Sequence, residues 1–217
     1  ETSNNYQIAW QYQHLGQWNW SLDVRFFFND LQNEIRLVSV IEPDDNEPRG
    51  LYRNENIARS QNTGFNLSSR LEYAQWSAEA GAAFIGLKNN LAFENETVNG
   101  FNFYPQYRLG INYIIKAWKL EPSLYANHTG QRKDLSLDSE GQIRSTYFSG
   151  YTMIDFNLKR SFLLQQLSLS VGVKNLLDVG SIQTSNQING GAHSNGASSI
   201  PLSYGRTYFI RCQWSIE

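Results

Sequence analysis

A two-residue period runs through this chain and limits what it can fold into. Leu167-Ser168-Leu169-Ser170-Val171-Gly172-Val173-Lys174 alternates apolar and polar at every step. The closing run, Tyr204 to Ile216, sets Tyr204, Tyr208, Ile210, Cys212, Trp214 and Ile216 on one side and Thr207, Arg211, Gln213 and Ser215 on the other. Successive side chains of an extended strand point to opposite faces, so each run reads as a strand with one apolar and one polar face. Such a face needs a cover, either a protein core or lipid.

The same alternation recurs from the start. Tyr6, Ile8, Trp10 and Tyr12 share a face in a strand from about Asn5 to Gln13, and a tight turn follows at His14-Leu15-Gly16-Gln17. Trp18, Trp20, Leu22, Val24, Phe26 and Phe28 open a second strand that reaches about Ile41. Its phase slips between Asn29 and Asn33, where a β-bulge is expected. A third strand spans about Asn54 to Tyr73, and Trp76, Ala78, Ala80, Ala82 and Phe84 mark a fourth. Tyr107, Leu109, Ile111, Tyr113 and Ile115 mark a fifth, and a weaker sixth runs from about Lys119 to Gly130 around Pro122. Ile154, Phe156 and Leu158 mark a seventh, and the two runs described first supply the eighth and ninth.

The connections are sorted by length. Turns near residues 15, 74, 117 and 164 take a few residues, whereas loops near 45, 95, 138 and 190 take about nine to twenty-five. Outer-membrane barrels have short periplasmic turns and long extracellular loops, whereas a soluble β-sandwich has no reason to sort its loops by end. Trp10, Trp18, Trp20, Trp76 and Trp118 all lie beside the short turns, and Trp214 falls at the same end. Amphipathic rings prefer the headgroup level, so this is an aromatic girdle. Composition agrees: aromatics reach 14 % although mean hydropathy is −0.48. Only every second residue of a barrel strand meets lipid, and no run approaches the ~18 apolar residues of a membrane helix. A formal charge of −2 gives no footprint for nucleic acid. The single cysteine, Cys212, excludes an internal disulfide and should face lipid.

The reading is therefore an all-β, transmembrane antiparallel barrel, with about nine strands in residues 1–217. An odd, open sheet would leave two unsatisfied edges in lipid, so these are expected to be the C-terminal strands of a larger barrel. No signal peptide opens the chain, which is expected to begin at a processing site or within a longer protein.

Four segments carry a family resemblance. Val173-Lys174-Asn175-Leu176-Leu177-Asp178 resembles a V-x-N-L-[FL]-[DN] pattern, and Tyr204-Gly205-Arg206-Thr207-Tyr208 resembles a G-R-x-[FWY] start of a last strand. Phe27-Phe28-Asn29-Asp30-Leu31-Gln32-Asn33-Glu34-Ile35 is similar to F-Y-N-x-[IL]-x-[ND]-x-I, and Asn56 to Phe65 to N-x-x-x-[AS]-x-[ST]-x-G-[FIV]. All four resemble TonB-dependent outer-membrane receptors and fall in family order. The resemblance implies a barrel of about twenty-two strands, of which these are the last nine. It implies a plug domain and TonB box outside this chain, and active uptake of a scarce solute such as a siderophore, haem or cobalamin. It also implies as partners outer-membrane lipid, the receptor's N-terminal strands and plug, the TonB-ExbB-ExbD energy-coupling complex and the barrel assembly machinery. One departure is that Ser215-Ile216-Glu217 follow Trp214, where the family commonly ends on the aromatic. A passive porin shares every barrel feature, and a soluble β-sandwich such as a lectin is the alternative of another class.

Candidate sites follow from this topology. His193, in an extracellular loop, and His128, near the top of the sixth strand, have the imidazole to touch a metal chelate, against the plain reading of solvated histidines. Tyr52 and Phe93 are loop aromatics placed to stack on a ligand, whereas Phe103 and Tyr104 also read as an upper girdle. Arg25, Arg70, Glu79, Arg108, Asp155, Lys174 and Arg211 fall on the polar face, as plug contacts or as generic lining of a water-filled interior. Glu42, Asp44, Asp45 and Glu47 lack calcium-loop spacing and read as a solvated acidic loop. No cofactor or resident metal is expected, and no motif for a catalytic nucleophile or metalloprotease occurs.

Overall fold

The alternating runs assemble into one antiparallel sheet of nine strands in the computed structural model, which describes residues 2–41, 51–91, 100–137, 143–162, 166–185 and 199–215. In chain order the strands are β1 (Thr2–His14), β2 (Asn19–Ile41), β3 (Leu51–Tyr73), β4 (Trp76–Leu91), β5 (Asn102–Tyr113), β6 (Leu120–Thr129), β7 (Arg132–Leu137), β8 (Ile143–Phe148), β9 (Tyr151–Phe162), β10 (Leu167–Lys174), β11 (Ser181–Gln183), β12 (Ser199–Pro201) and β13 (Thr207–Trp214). The large sheet has the order β1-β2-β3-β4-β5-β6-β9-β10-β13, so every strand pairs with its predecessor in the wall. The nine expected wall strands are all present. The pairs β7-β8 and β11-β12 lie in what reads from sequence as the plain loops Gln131 to Thr146 and Ser181 to Ser203. They are three to six residues long and lack a lipid-facing pattern, so periodicity does not reveal them.

Register places the side chains. Directly opposed residues share a face, and one row runs His14, Trp20, Leu71, Ala78, Ile111, Leu124, Phe156, Val173, Tyr208 across all nine strands. The expected bulge in β2 is there: pairing with β3 shifts between Leu31 and Glu34, and Asn33 takes φ +58°. Asparagine is among the residues that tolerate this left-handed conformation.

Burial is inverted relative to a water-soluble domain. Ile182 is the one buried apolar side chain among the described residues, whereas Ile8, Trp10, Phe26, Leu109, Val171 and Ile210 stand exposed on the apolar face. So much contiguous apolar surface marks an interaction with lipid or protein. At the short-turn end this face carries packed rings: Trp18 stacked on Tyr73 at 4.5 Å, Trp76 tilted against Tyr113 at 4.3 Å and Tyr12 edge-on to Trp20 at 5.5 Å. Toward the loops, Phe26, Phe65, Phe84 and Phe103 form a second ladder.

Above that ladder the outward row becomes polar throughout: Asn4, Asp30, Gln61, Lys88. Arg59 donates to both Asp30 oxygens, at 2.7 and 2.8 Å, and Gln32 and Gln61 add bonds at 3.0 and 3.1 Å. The guanidinium holds the Asp30 carboxyl well below the usual carboxylate range, and the carboxylate raises Arg59 in turn. A fully bonded pair of this kind marks the upper limit of the apolar band.

Candidate functional site

Charge and polarity gather on the concave face. One row reads Gln11, Asp23, Ser68, Gly81, Arg108, Asn127, and the next reads Gln13, Ser21, Arg70, Glu79, Gly110, Tyr125, Asp155. A hollow of about 650 Å³ is lined by residues from β1 to β5, among them Gln11, Asp23, Arg70, Glu79 and Arg108. Flat neighbouring strands would hold β1 and β5 roughly 19 Å apart on a plane, so a shared hollow means that the sheet curls. Gln11 Nε2 donates to Asp23 at 2.7 Å, and Arg70 Nε donates to Glu72 at 3.0 Å. Arg25 lies 3.7 Å from Asp23. Glycines make room for the long side chains. A Cβ on Gly81 would fall 3.1 Å from Arg108 Nε, and one on Gly110 would fall 2.7 Å from Glu79 Cγ. The wall thus presents interleaved cations and carboxylates suited to hydrogen-bonding a polar domain or a hydrated solute.

The motif after β10 proves to be a corner clamp. Asn175, 5 % exposed with φ +54°, donates its backbone N–H to Asp155 Oδ1 at 2.8 Å. Its side-chain amide donates to Val179 O at 2.9 Å and to Ser203 Oγ at 3.1 Å, while its Oδ1 accepts the Val179 N–H at 3.0 Å. Asp178 accepts the Arg206 N–H at 2.7 Å, and Arg206 Nε donates to Leu176 O at 3.1 Å. Gly205 takes φ +79° against Asp178, where a Cβ would sit 2.8 Å from its carboxylate. Residues nearly thirty positions apart are therefore tied together where the chain leaves β10 and re-enters as β13.

Two upper connections dock on each other. Phe148, at the end of β8, bridges Thr184, and Ser149 N–H and Ser185 N–H donate to Gln183 O and Tyr147 O at 2.9 and 3.0 Å. Ser149 and Ser185 hydroxyls accept from Gln183 and Tyr147 N–H at 3.0 and 2.9 Å. Beneath this junction Ile182, Phe148 and Leu202 line a cavity of about 170 Å³ with Tyr104, Gln106 and Tyr151. Those last three share the concave parity, so the docked loops close over the lumen side. The space is smaller than the ~300 Å³ of an ordinary ligand pocket, so its role is packing.

The residues expected from sequence separate into groups. Arg25, Arg70, Glu79 and Arg108 come together around the concave hollows. Asp155 shares that face and is engaged by the Asn175 corner. Lys174 and Arg211 also have concave parity, farther along the wall, with Lys174 Nζ 5.9 Å above the Phe209 ring. His128 lies on the convex face, its Nδ1 2.9 Å from Thr152 Oγ1 and its ring stacked on Tyr107, so it points away from the lumen. Phe103 joins the upper girdle against Phe84, but Tyr104 has the opposite parity and lines the cavity at the mouth. Tyr52 pairs with Ser39 in β3, and its side chain lies outside the described residues, as do His193, Phe93 and the acidic loop with Glu42, Asp44, Asp45 and Glu47. Sequence reasoning missed Ile182 and the serines of the docked loops, which no periodic pattern flags.

An inside-out, curled antiparallel wall with one aromatic-rimmed apolar face and one charged concave face defines a transmembrane β-barrel segment. The profile of the family described as TonB dependent receptor-like β-barrel matches residues 1–176, and the chain belongs to that family. Members are outer-membrane receptors and transporters rather than enzymes. The fold is similar to that of the FrpB iron transporter from Neisseria meningitidis, with TM-score 0.61 and 12 % identity over 81 % of this chain and 27 % of that one. It is also similar to the pyoverdine outer membrane receptor FpvA from Pseudomonas aeruginosa bound to pyoverdine, with TM-score 0.58 and 20 % identity over 99 % of this chain and 30 % of that one. A third similar structure is the FpvAI–pyocin S2 complex, with TM-score 0.57 and 18 % identity over 98 % of this chain and 26 % of that one. At these identities the likeness is one of fold, and the chain spans less than a third of each structure. No curated protein matches the sequence.

Proposed function

We propose that this chain supplies part of the barrel wall and extracellular loops of a receptor for TonB-dependent uptake of a scarce solute across the bacterial outer membrane. The observation that carries the reading is the family match over residues 1–176 on a wall whose concave face is charged. Arg25, Arg70, Glu79 and Arg108 line that face as hydrogen-bonding partners for a plug domain, with Lys174 and Arg211 extending the lining. In this reading the plug couples through TonB-ExbB-ExbD to the inner membrane, and energy from there opens a path along the wall. The solute class we favour is a ferric chelate, because the structural neighbours are named as an iron transporter and a pyoverdine receptor.

Deleting the receptor in its host should abolish growth on one chelated iron source while leaving growth on a permeant iron salt intact. Deleting TonB should reproduce that defect. Chelate-dependent growth that survives loss of TonB would identify a passive channel instead.

A further inference from the structure

We infer that the cleft between the β5–β6 turn and the end of β9 is a binding site for the phosphate headgroup of an anionic phospholipid in the leaflet at the short-turn rim. Arg160 is the anomaly that leads there. Its row partners are Leu120 on β6 and Leu169 on β10, so it stands in the outward, apolar face. The next row toward the loops is Pro122, Leu158, Val171, and the next toward the turn pairs Phe162 with Leu167. An arginine in a lipid-facing row is costly at the bilayer midplane and tolerated only near the headgroups, where its stem lies on apolar surface and its head reaches polar partners.

The surroundings meet that need. Arg160, Lys119, Trp118, Leu120 and Phe162 line an open cleft of about 610 Å³. The Arg160 guanidinium lies 5.0 Å above the Phe162 ring, and Trp118 is largely exposed at the rim. Among the described residues neither Arg160 nor Lys119 has a carboxylate partner. The nearby Glu121 lies on the opposite face, 3.8 Å from Lys159, and the sequence Leu163-Leu164-Gln165 that follows β9 contains no acid. Two cations with no carboxylate partner among the described residues, one with a planar fork that matches phosphate oxygens, beside an indole at headgroup level, select a headgroup with net negative charge. Lipid is favoured over a soluble anion because Leu120 and Phe162 also line the cleft and share the apolar face with Leu158 and Val171, where acyl chains would continue the contact.

The test uses the complete receptor that contains this chain, purified in mild detergent and offered equimolar phosphatidylglycerol and phosphatidylcholine, with retained lipid read by native mass spectrometry. Wild type should retain phosphatidylglycerol preferentially, and Lys119→Gln with Arg160→Gln should lower that preference on the order of tenfold. Arg160→Lys should keep most of it. Equal retention of both lipids by wild type, or a preference unchanged in the double variant, would overturn the inference. Displacement of the lipid by inorganic phosphate would assign the cleft to a free anion and overturn it as well. Heat-modifiable mobility reports folding of each variant, and Lys119→Gln, in an exposed turn, carries the test alone if Arg160→Gln does not assemble.

Discussion

Gly64 leaves no room for a methyl group. A Cβ there would collide with the Phe84 carbonyl oxygen and meet Phe27 Cζ at 3.1 Å. Backbone cannot yield as a flexible side chain can, so Gly64→Ala should cost about 1–3 kcal/mol, read as earlier loss of the heat-modifiable band on warming. Gly81→Ala makes a useful contrast, because its nearest neighbour is the movable Arg108 side chain, and its band should be lost near the wild-type temperature. Asn175 carries a different load. Asn175→Ala would strand the Val179 N–H and remove one of the bonds to Ser203, and should cost roughly 1–3 kcal/mol in denaturant unfolding. A variant as stable as wild type would remove the corner clamp from the account. The motif containing Asn175 and Asp178 is visible as letters in the sequence. Its partners are not, because Ser203 and Arg206 are defined only once the chain has returned.

Single strands declare their faces, and β5 does so most clearly. Phe103, Tyr107, Leu109, Ile111 and Tyr113 point outward between the upper and lower rings, whereas Gln106 and Arg108 point into the hollows. Leu109→Arg, at mid-height, should cost about 2–4 kcal/mol, while Gln106→Arg should change stability little. Similar penalties for the two, measured by folding into bilayers of defined thickness, would mean that no hydrocarbon touches the convex face. Strand existence, parity and the β2 bulge were all legible, since each is a local statement about neighbouring residues. The short β7, β8, β11 and β12 were not legible, since runs of three to six mixed residues are too short to state a period, and their partners are set by how the loops meet.

The wall as a whole has its apolar side chains outside, and the native cysteine reports on that directly. Cys212 sits on the convex face of β13 beside Leu169. In intact outer membranes it should resist a membrane-impermeant maleimide, whereas Tyr204→Cys in a Cys212→Ser background, at the fully exposed loop end, should label readily. Equal labelling of the two would place the convex face against water.

Alternation, the sorting of short turns from long loops, and tryptophans beside the turns are written along the chain. They sufficed to determine the number of wall strands and which face of each is apolar. Curvature decided the rest. Only a curled sheet brings Gln11 of β1 and Arg108 of β5 to one hollow and folds Ile182 over Tyr104 and Tyr151. Those are contacts between residues far apart in sequence, set by register and twist summed over many strands, and no local pattern encodes that sum.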